Sequence, residues 1–177
     1  MEIRLLTGDD AGEWWRLRLE ALESDPEAFS ASAEDHRSLG LDEVRKRLGV
    51  GRDDQFVVGA WEDGRLVGMA GFYRETRPKV RHKGRIWGVY VTDKRRGEGL
   101  GRQMLHEILT RASAIDDIEQ VLLSVAVTQE SAVRLYRSVG FEPFGCEPRA
   151  LKVGDRTIDE QYLVLHLRDG WRGAESR

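Results

Sequence analysis

Val89-Tyr90-Val91-Thr92-Asp93-Lys94-Arg95-Arg96-Gly97-Glu98-Gly99-Leu100-Gly101-Arg102 is the stretch on which the chain turns. It opens as an apolar, β-branched run, which reads as a strand. It continues as a short basic loop punctuated by glycine. It then enters a helical period that places Leu100, Met104, Leu105, Ile108, Leu109 and Ala112 on one face. A strand, a glycine loop and a helix start in that order can hold an anion. The first amides of a helix have no internal partner, and its dipole points its positive end at the loop. Glycines let a backbone approach a phosphate without a Cβ in the way. The spacing of the glycines alone is equally compatible with a tight strand-to-helix corner that binds nothing. The loop has neither the G-x-G-x-x-G of dinucleotide sites nor the Lys-Ser/Thr that closes a Walker loop, so the two commonest phosphate loops are excluded.

Working outward, the segment before this stretch reads as a meander. Gln55 to Trp61 and Arg65 to Tyr73 are strands joined by Glu62-Asp63-Gly64, where Asp-Gly favours the positive φ of a hairpin turn. A basic connection from Arg74 to Lys83, broken by Pro78, leads into a strand from Gly84 to Val91. Nearer the start, Ile3 to Leu6 is a first strand. Asp9 or Asp10 can cap a helix with Trp14, Leu17, Ala21 and Leu22 on one face, stopped near Asp25-Pro26. Phe29 to His36 reads as a loop, Asp42 as the cap of a helix from Glu43 to Leu48, and Gly51 to Asp54 as a turn. After the central helix, Gln120 to Val127 reads as a strand covered on both faces. Glu130 to Val139 is a helix ended by Gly140. Phe141 to Cys146 and Thr157 to Leu167 are strands with a turn at Val153-Gly154-Asp155. Residues 1–168 are expected to form a single domain and 169–177 a polar tail. The pattern is mixed α/β, an antiparallel meander joined to a parallel crossover.

Composition narrows the function. The chain has 177 residues, 40% hydrophobic and 33% charged, with a formal net charge of −3. It is long enough for a sizeable core, and no run reaches the length of a membrane span. The acidic balance argues against a nucleic-acid partner. Arg74, Arg77, Lys79, Arg81, Lys83 and Arg85, followed by Lys94, Arg95, Arg96 and Arg102, form a local basic field that suits a small polyanion. The four histidines have no metal spacing, so no metal is expected. A single cysteine, Cys146, cannot form an internal disulfide. It reads as a buried or half-buried passenger, and a cytoplasmic location is expected.

A second stretch joins the first: Gln129-Glu130-Ser131-Ala132-Val133-Arg134-Leu135-Tyr136-Arg137-Ser138-Val139-Gly140-Phe141. Together the two resemble the GCN5-related N-acetyltransferase (GNAT) family. Its [Arg/Gln]-x-x-Gly-x-[Gly/Ala] motif is matched at Arg96, Gly99 and Gly101. Its Asn-x-x-Ala-x-x-Leu-Tyr-x-x-x-Gly-Phe motif is matched at Ala132, Leu135, Tyr136, Gly140 and Phe141, with Gln129 in place of the Asn.

The resemblance implies a GNAT-type mixed sheet of about seven strands, splayed at its centre and flanked by about four helices. It implies acetyl-CoA as cosubstrate, with its pyrophosphate on Arg96, Gly97, Glu98, Gly99, Leu100, Gly101 and Arg102. The pantetheine arm would lie along Val89, Tyr90 and Val91, and Gln129 and Tyr136 would approach the cofactor. Tyr136 is the expected acid to the thiolate, although helical spacing alone reads it as a member of a core stripe with Leu135 and Val139.

The family has no fixed base. Glu34, Asp35, His82 and Glu160 are candidates, Glu34 being taken with Tyr136 as catalytic. Strand parity puts Trp87 and Tyr90 on opposite faces, unless a bulge intervenes. The walls of the acceptor cleft are expected at Phe29–His36, Arg74–Lys83 and Pro148–Asp159. The implied activity is acetylation of a primary amine of a small molecule. A protein N-terminus or lysine is the alternative acceptor, and a non-catalytic acyl-CoA sensor the other alternative. A homodimer is a possible assembly, and no membrane partner is expected.

Overall fold

The structure is a computed structural model, and it describes residues 1–49 and 51–167. The polar tail expected from Asp169 lies outside the described residues. The elements are β1 (Glu2–Leu5), α1 (Ala11–Ser24), α2 (Ala33–Arg37), α3 (Leu41–Arg47), β2 (Gln55–Glu62), β3 (Arg65–Arg74), β4 (Lys83–Val91), α4 (Leu100–Ser113), β5 (Gln120–Ala126), α5 (Glu130–Val139), β6 (Glu142–Val153) and β7 (Arg156–His166). The seven strands form one sheet in the order β1-β2-β3-β4-β5-β7-β6. All neighbours are antiparallel except β4 and β5, which α4 joins as a parallel crossover.

Residue alternation along the strands builds two cores. Phe56, Val58 and Ala60 of β2 face α4 with its Met104, Leu105, Ile108 and Leu109. Val57 and Trp61 of the same strand face the opposite way, onto Trp14, Leu17 and Ala21 of α1. A central strand with a core on each side must be apolar on both, and β2 is. Asp10 sets the entry to α1. It accepts a fork from Arg4 at 2.7 and 2.9 Å and a bond from the Thr7 amide at 2.7 Å, tying β1 to the helix start.

Three local expectations change. Phe29–His36 is not wholly a loop, because α2 forms at its end with Ser32 accepting from the Asp35 amide at 3.0 Å. A five-residue helix has little propensity signal, and this one is held by packing. His36 stacks on Trp15, meets Trp14 edge-on and bonds the Trp15 carbonyl oxygen at 2.9 Å. The sheet is thus flanked by four helices of seven residues or more and this short one. The next helix, α3, begins after Gly40 rather than at Asp42. The strand expected to end at Cys146 instead runs to Val153 as β6, with register shifts against β7 near Gly145 and again between Glu147 and Leu151. Those bulges hid its length in the alternation. β6 lies at the sheet edge, so Cys146 is exposed, not buried, as is neighbouring Phe144. Among the described residues no helix is long and apolar enough to cross a membrane.

Candidate active site

The site lies where two neighbouring strands separate. β4 and β5 pair only at Lys83↔Gln120, Gly84↔Val121 and Arg85↔Leu122. β4 then runs on to Val91 and β5 to Ala126 without further pairing to each other. Beyond Arg85 the main chain of β4 therefore faces β5 across a gap, with strand-like donors and acceptors unused on that side. A cleft of about 540 Å³ fills the gap.

A bulge in β4 shapes the cleft wall. Met69 pairs with Tyr90 and Gly71 with Trp87, so Gly88 and Val89 together oppose Ala70. Gly88 takes φ +63, a left-handed angle that costs a Cβ-bearing residue energy. The extra residue resets the face parity. Trp87 and Tyr90 both pack on the α1 side, while Ile86, Val89 and Val91 pack on the α4 side. The opposite faces that strand period predicts for Trp87 and Tyr90 are thus not found. Tyr90 is tied by its hydroxyl to Ser24 at 3.1 Å and Glu20 at 3.2 Å.

At one end of the cleft stands the start of α4. The cap residue is Gly99, at φ +80, with no capping side chain. The first intrahelical bond runs from the Gln103 amide to the Gly99 carbonyl oxygen at 3.1 Å, so the amides of Leu100, Gly101 and Arg102 precede the helical ladder. Gly97, at φ +84, has open space where a Cβ would sit. Gly101 has a different role: a Cβ there would come within 2.8 Å of Leu135, so it lets α4 and α5 approach. Arg96 lines the cleft, but its charge is engaged by Asp25 at 2.5 Å and Asp93 at 2.9 Å. Its Nε donates to the Val91 carbonyl oxygen at 3.0 Å, which braces the loop against β4. Arg102 lines the cleft with no ion pair among the described residues.

Tyr136 enters the cleft from α5, 6% exposed, with its ring edge-on to Phe141 at 6.1 Å. Burial pushes its phenol well above the ordinary value, so it holds its proton at any working pH. It therefore belongs to the helix's buried stripe and also reaches the cleft. Gln129 lines the same wall at the start of α5.

Of the expected cofactor residues, Val89, Tyr90, Val91, Arg96, Gly97, Gly99, Leu100, Gly101, Arg102, Gln129 and Tyr136 line this one cleft. Glu98 does not; it is exposed and pairs with Arg95 at 3.3 Å. Among the base candidates, Glu34 is exposed on α2 and lies outside the cleft lining. Asp35 accepts from the Ser32 hydroxyl at the same helix start. His82 sits at the foot of β4, where β4 and β5 are still paired. Glu160 on β7 is half-buried and accepts from Ser124 Oγ at 3.3 Å, and Ser124 lines the cleft. Burial, with the Glu147 charge beside it, pushes the Glu160 carboxyl upward despite that hydrogen bond. Ser124 and Ala28 carry no motif, and Ser131 falls at a free position of the second motif, so none of the three was foreseen as lining. They become visible only once the strands part.

The uncapped helix start and the open glycine loop fit a diphosphate, and the unpaired edge of β4 fits an amide-bearing arm. Comparison with known proteins agrees. The acetyltransferase (GNAT) family model matches residues 14–141. L-methionine sulfoximine/L-methionine sulfone acetyltransferase of Pseudomonas aeruginosa is 30% identical over 105 residues, 59% of this chain and 60% of that protein. N-alpha-acetyltransferase RimI of Mycobacterium tuberculosis is 37% identical over 97 residues, 54% of this chain and 58% of that protein. The matches thus span about 60% of the length of these curated relatives. An acetyltransferase of the GNAT family from Streptococcus pneumoniae superposes with a TM-score of 0.82 at 25% identity, covering 93% of this chain and 98% of that one. The two motifs, the splayed pair of strands and the match over residues 14–141 make this chain a member of the GNAT acetyltransferase family.

Proposed function

We propose that the chain is an acetyl-CoA-dependent N-acetyltransferase acting on a primary amine of a small molecule. One observation carries the reading: β4 and β5 part over a cleft that runs from the uncapped start of α4 to the protonated phenol of Tyr136. Acetyl-CoA, when bound, supplies an activated acetyl group on a thioester. The amides of Leu100, Gly101 and Arg102, with Gly97 and Gly99, hold its diphosphate. Val89, Tyr90 and Val91 offer main-chain groups to its amide-rich arm. The broken ladder at Gly88 and Val89 leaves β4 amides available to negative charge on an acyl oxygen. Tyr136 keeps its proton on Oη and gives it to the departing sulfur, a transfer from a weak acid to a modest base.

The acceptor must reach the cleft as a free amine, so an ammonium has to lose a proton first. Glu160 is the base in this reading, reached through Ser124, because among the four candidates it alone contacts a cleft-lining side chain. Its raised carboxyl pKa brings it closer to the range a base needs. A second reading, acetylation of a protein N-terminus, is favoured by the relative named as an N-alpha-acetyltransferase.

Thiol release from acetyl-CoA with a panel of small amines and N-terminal peptides tests the proposal. Turnover with small amines supports it, and turnover with peptides alone supports the second reading. Acetyl-CoA binding in calorimetry without release for any amine would point to a sensor.

A further inference from the structure

The inner face of α1 is apolar at Trp14, Leu17, Ala21 and Leu22, yet Arg18 lies on it only 8% exposed. The buried Trp61 indole N–H also lacks a hydrogen-bond partner among the described residues, but the buried Asp10, Arg74 and His36 side chains have one. Asp10 holds the Arg4 fork, Arg74 Nε donates to the Arg81 carbonyl oxygen at 2.7 Å, and His36 bonds the Trp15 carbonyl oxygen. Arg18 differs, because its Nη1 is buried with no hydrogen-bond partner among the described residues. Its guanidinium lies 4.5 Å over the Phe29 ring. Burial, with the Arg47 charge adding to it, pushes it down to about 10, which still leaves it ionised near neutral pH. The neighbouring charges that act on it and on His36 are basic, Arg18 and Arg47, and no carboxylate is among them. A buried cation without a counter-charge is costly to keep.

Its position supplies the reason. Nη1 lies 3.4 Å from where a Cβ on Gly88 would sit. Gly88 is the bulge residue, and it lines the cleft together with Phe29 and Trp87. Arg18 itself does not line the cleft; its unpaired donor lies directly behind the wall at the bulge, where Gly88 puts no Cβ in the way, and away from the α4 start where the diphosphate is placed. The walls beside it are aromatic, so an anion there would meet a desolvated guanidinium with a free donor, the setting in which a charge-assisted hydrogen bond is strongest.

We propose that Arg18 anchors a carboxylate on the acceptor, so that the small-molecule amine is amino-acid-like rather than a simple amine or polyamine. The inference rests on the acetyltransferase reading for its context. A carboxylate on Nη1 would supply the missing partner and fix the amine end of the acceptor in the cleft. A polycationic acceptor would meet Arg18 as a like charge, with the Arg47 charge adding to it.

Matched pairs of acceptors test this: L-leucine against 3-methylbutylamine, L-phenylalanine against phenethylamine, and L-methionine sulfone against 3-(methylsulfonyl)propylamine. The readouts are thiol release from acetyl-CoA and calorimetric binding to the protein saturated with CoA. The wild type should prefer at least one amino acid over its decarboxylated partner. Arg18→Met should collapse that preference by roughly ten- to a hundredfold, mainly through KM, as loss of a charged hydrogen bond implies. Arg18→Lys should recover part of it. The melting temperature of Arg18→Met should equal or exceed that of the wild type, since an uncompensated buried charge is removed. A wild type that turns over the decarboxylated amines as well as the amino acids would overturn the anchor while leaving the acetyltransferase reading intact. So would an Arg18→Met protein that loses both classes equally with a lowered melting temperature. Carboxylate-dependent binding that Arg18→Met abolishes, without thiol release for any acceptor, would support the anchor and overturn the acetyltransferase reading.

Discussion

In the proposed reaction Tyr136 and Glu160 would carry opposite protonation tasks, and their surroundings differ accordingly. Tyr136 is buried among apolar side chains with no charge acting on it, so its phenol stays protonated. Tyr136→Phe removes the proton and little volume. Turnover should fall by about 10²–10⁴-fold, the usual worth of a positioned acid, while the acetyl-CoA Kd measured by calorimetry stays within a few-fold. Equal turnover would remove it as the acid. Glu160 has its carboxyl raised above the ordinary value of 4.5 by burial. It is protonated below that raised value and cannot accept a proton there. The acid limb of kcat/KM should therefore lie above the normal carboxylate range, and Glu160→Gln should lower kcat/KM and abolish that limb. A limb that persists in the variant would assign the base elsewhere. Tyr136 was legible from its motif, whereas the sequence favours Glu34 as the base and leaves Glu160 beside Asp35 and His82 as a lesser candidate. The difference between the four is burial and proximity to Ser124, which are tertiary facts with no local pattern.

At the scale of the elements, two helix starts behave in contrasting ways. α4 begins without a capping side chain, at a glycine in the left-handed region. Gly99→Glu would place a carboxylate and a strained Cβ where a diphosphate is expected. Acetyl-CoA affinity should drop by at least about tenfold, and unchanged affinity would count against the loop. α1 also lacks a capping bond from its own Asp10, but Asp10 ties its start to Arg4 and Thr7. Asp10→Ala should cost about 1–2 kcal/mol in denaturant unfolding, discounted for the partial exposure of Arg4. The Arg4 guanidinium, followed by the Thr7 bonds, holds the Asp10 carboxyl below its ordinary value of 3.8 against the effect of burial. Its folded pKa is depressed, so its contribution is present above about pH 4 and is lost as pH falls through the folded value. Asp10→Ala should thus destabilise the protein at neutral pH and make little difference in strong acid.

The elements themselves were read from period and punctuation: the Asp-Gly hairpin, the α4 stripe and the β5 run, although β5 is open at Ser124 rather than covered on both faces throughout. What escaped was set by distant contacts. α2 depends on His36 between two tryptophans, and β6 is interrupted by bulges that break alternation.

Across the whole molecule, the proposed function follows from one defect in an otherwise continuous sheet. β3 and β4 stay paired to the end of β4 except at one bulge, while β4 and β5 part after three pairs. The helix start of α4 and the phenol on α5 border the gap so made, and the unpaired Arg18 on α1 lies behind its wall at Gly88, from the other face of the sheet. No residue pattern announces that separation, and only the resemblance to a family pointed to it. A crystal structure of the complex with acetyl-CoA measures the central claim most directly. The account predicts the diphosphate on the amides of Leu100, Gly101 and Arg102, the arm along Val89 to Val91, and the sulfur within hydrogen-bonding distance of Tyr136 Oη. A ligand outside the gap between β4 and β5, or one whose sulfur lies away from Tyr136, would contradict it.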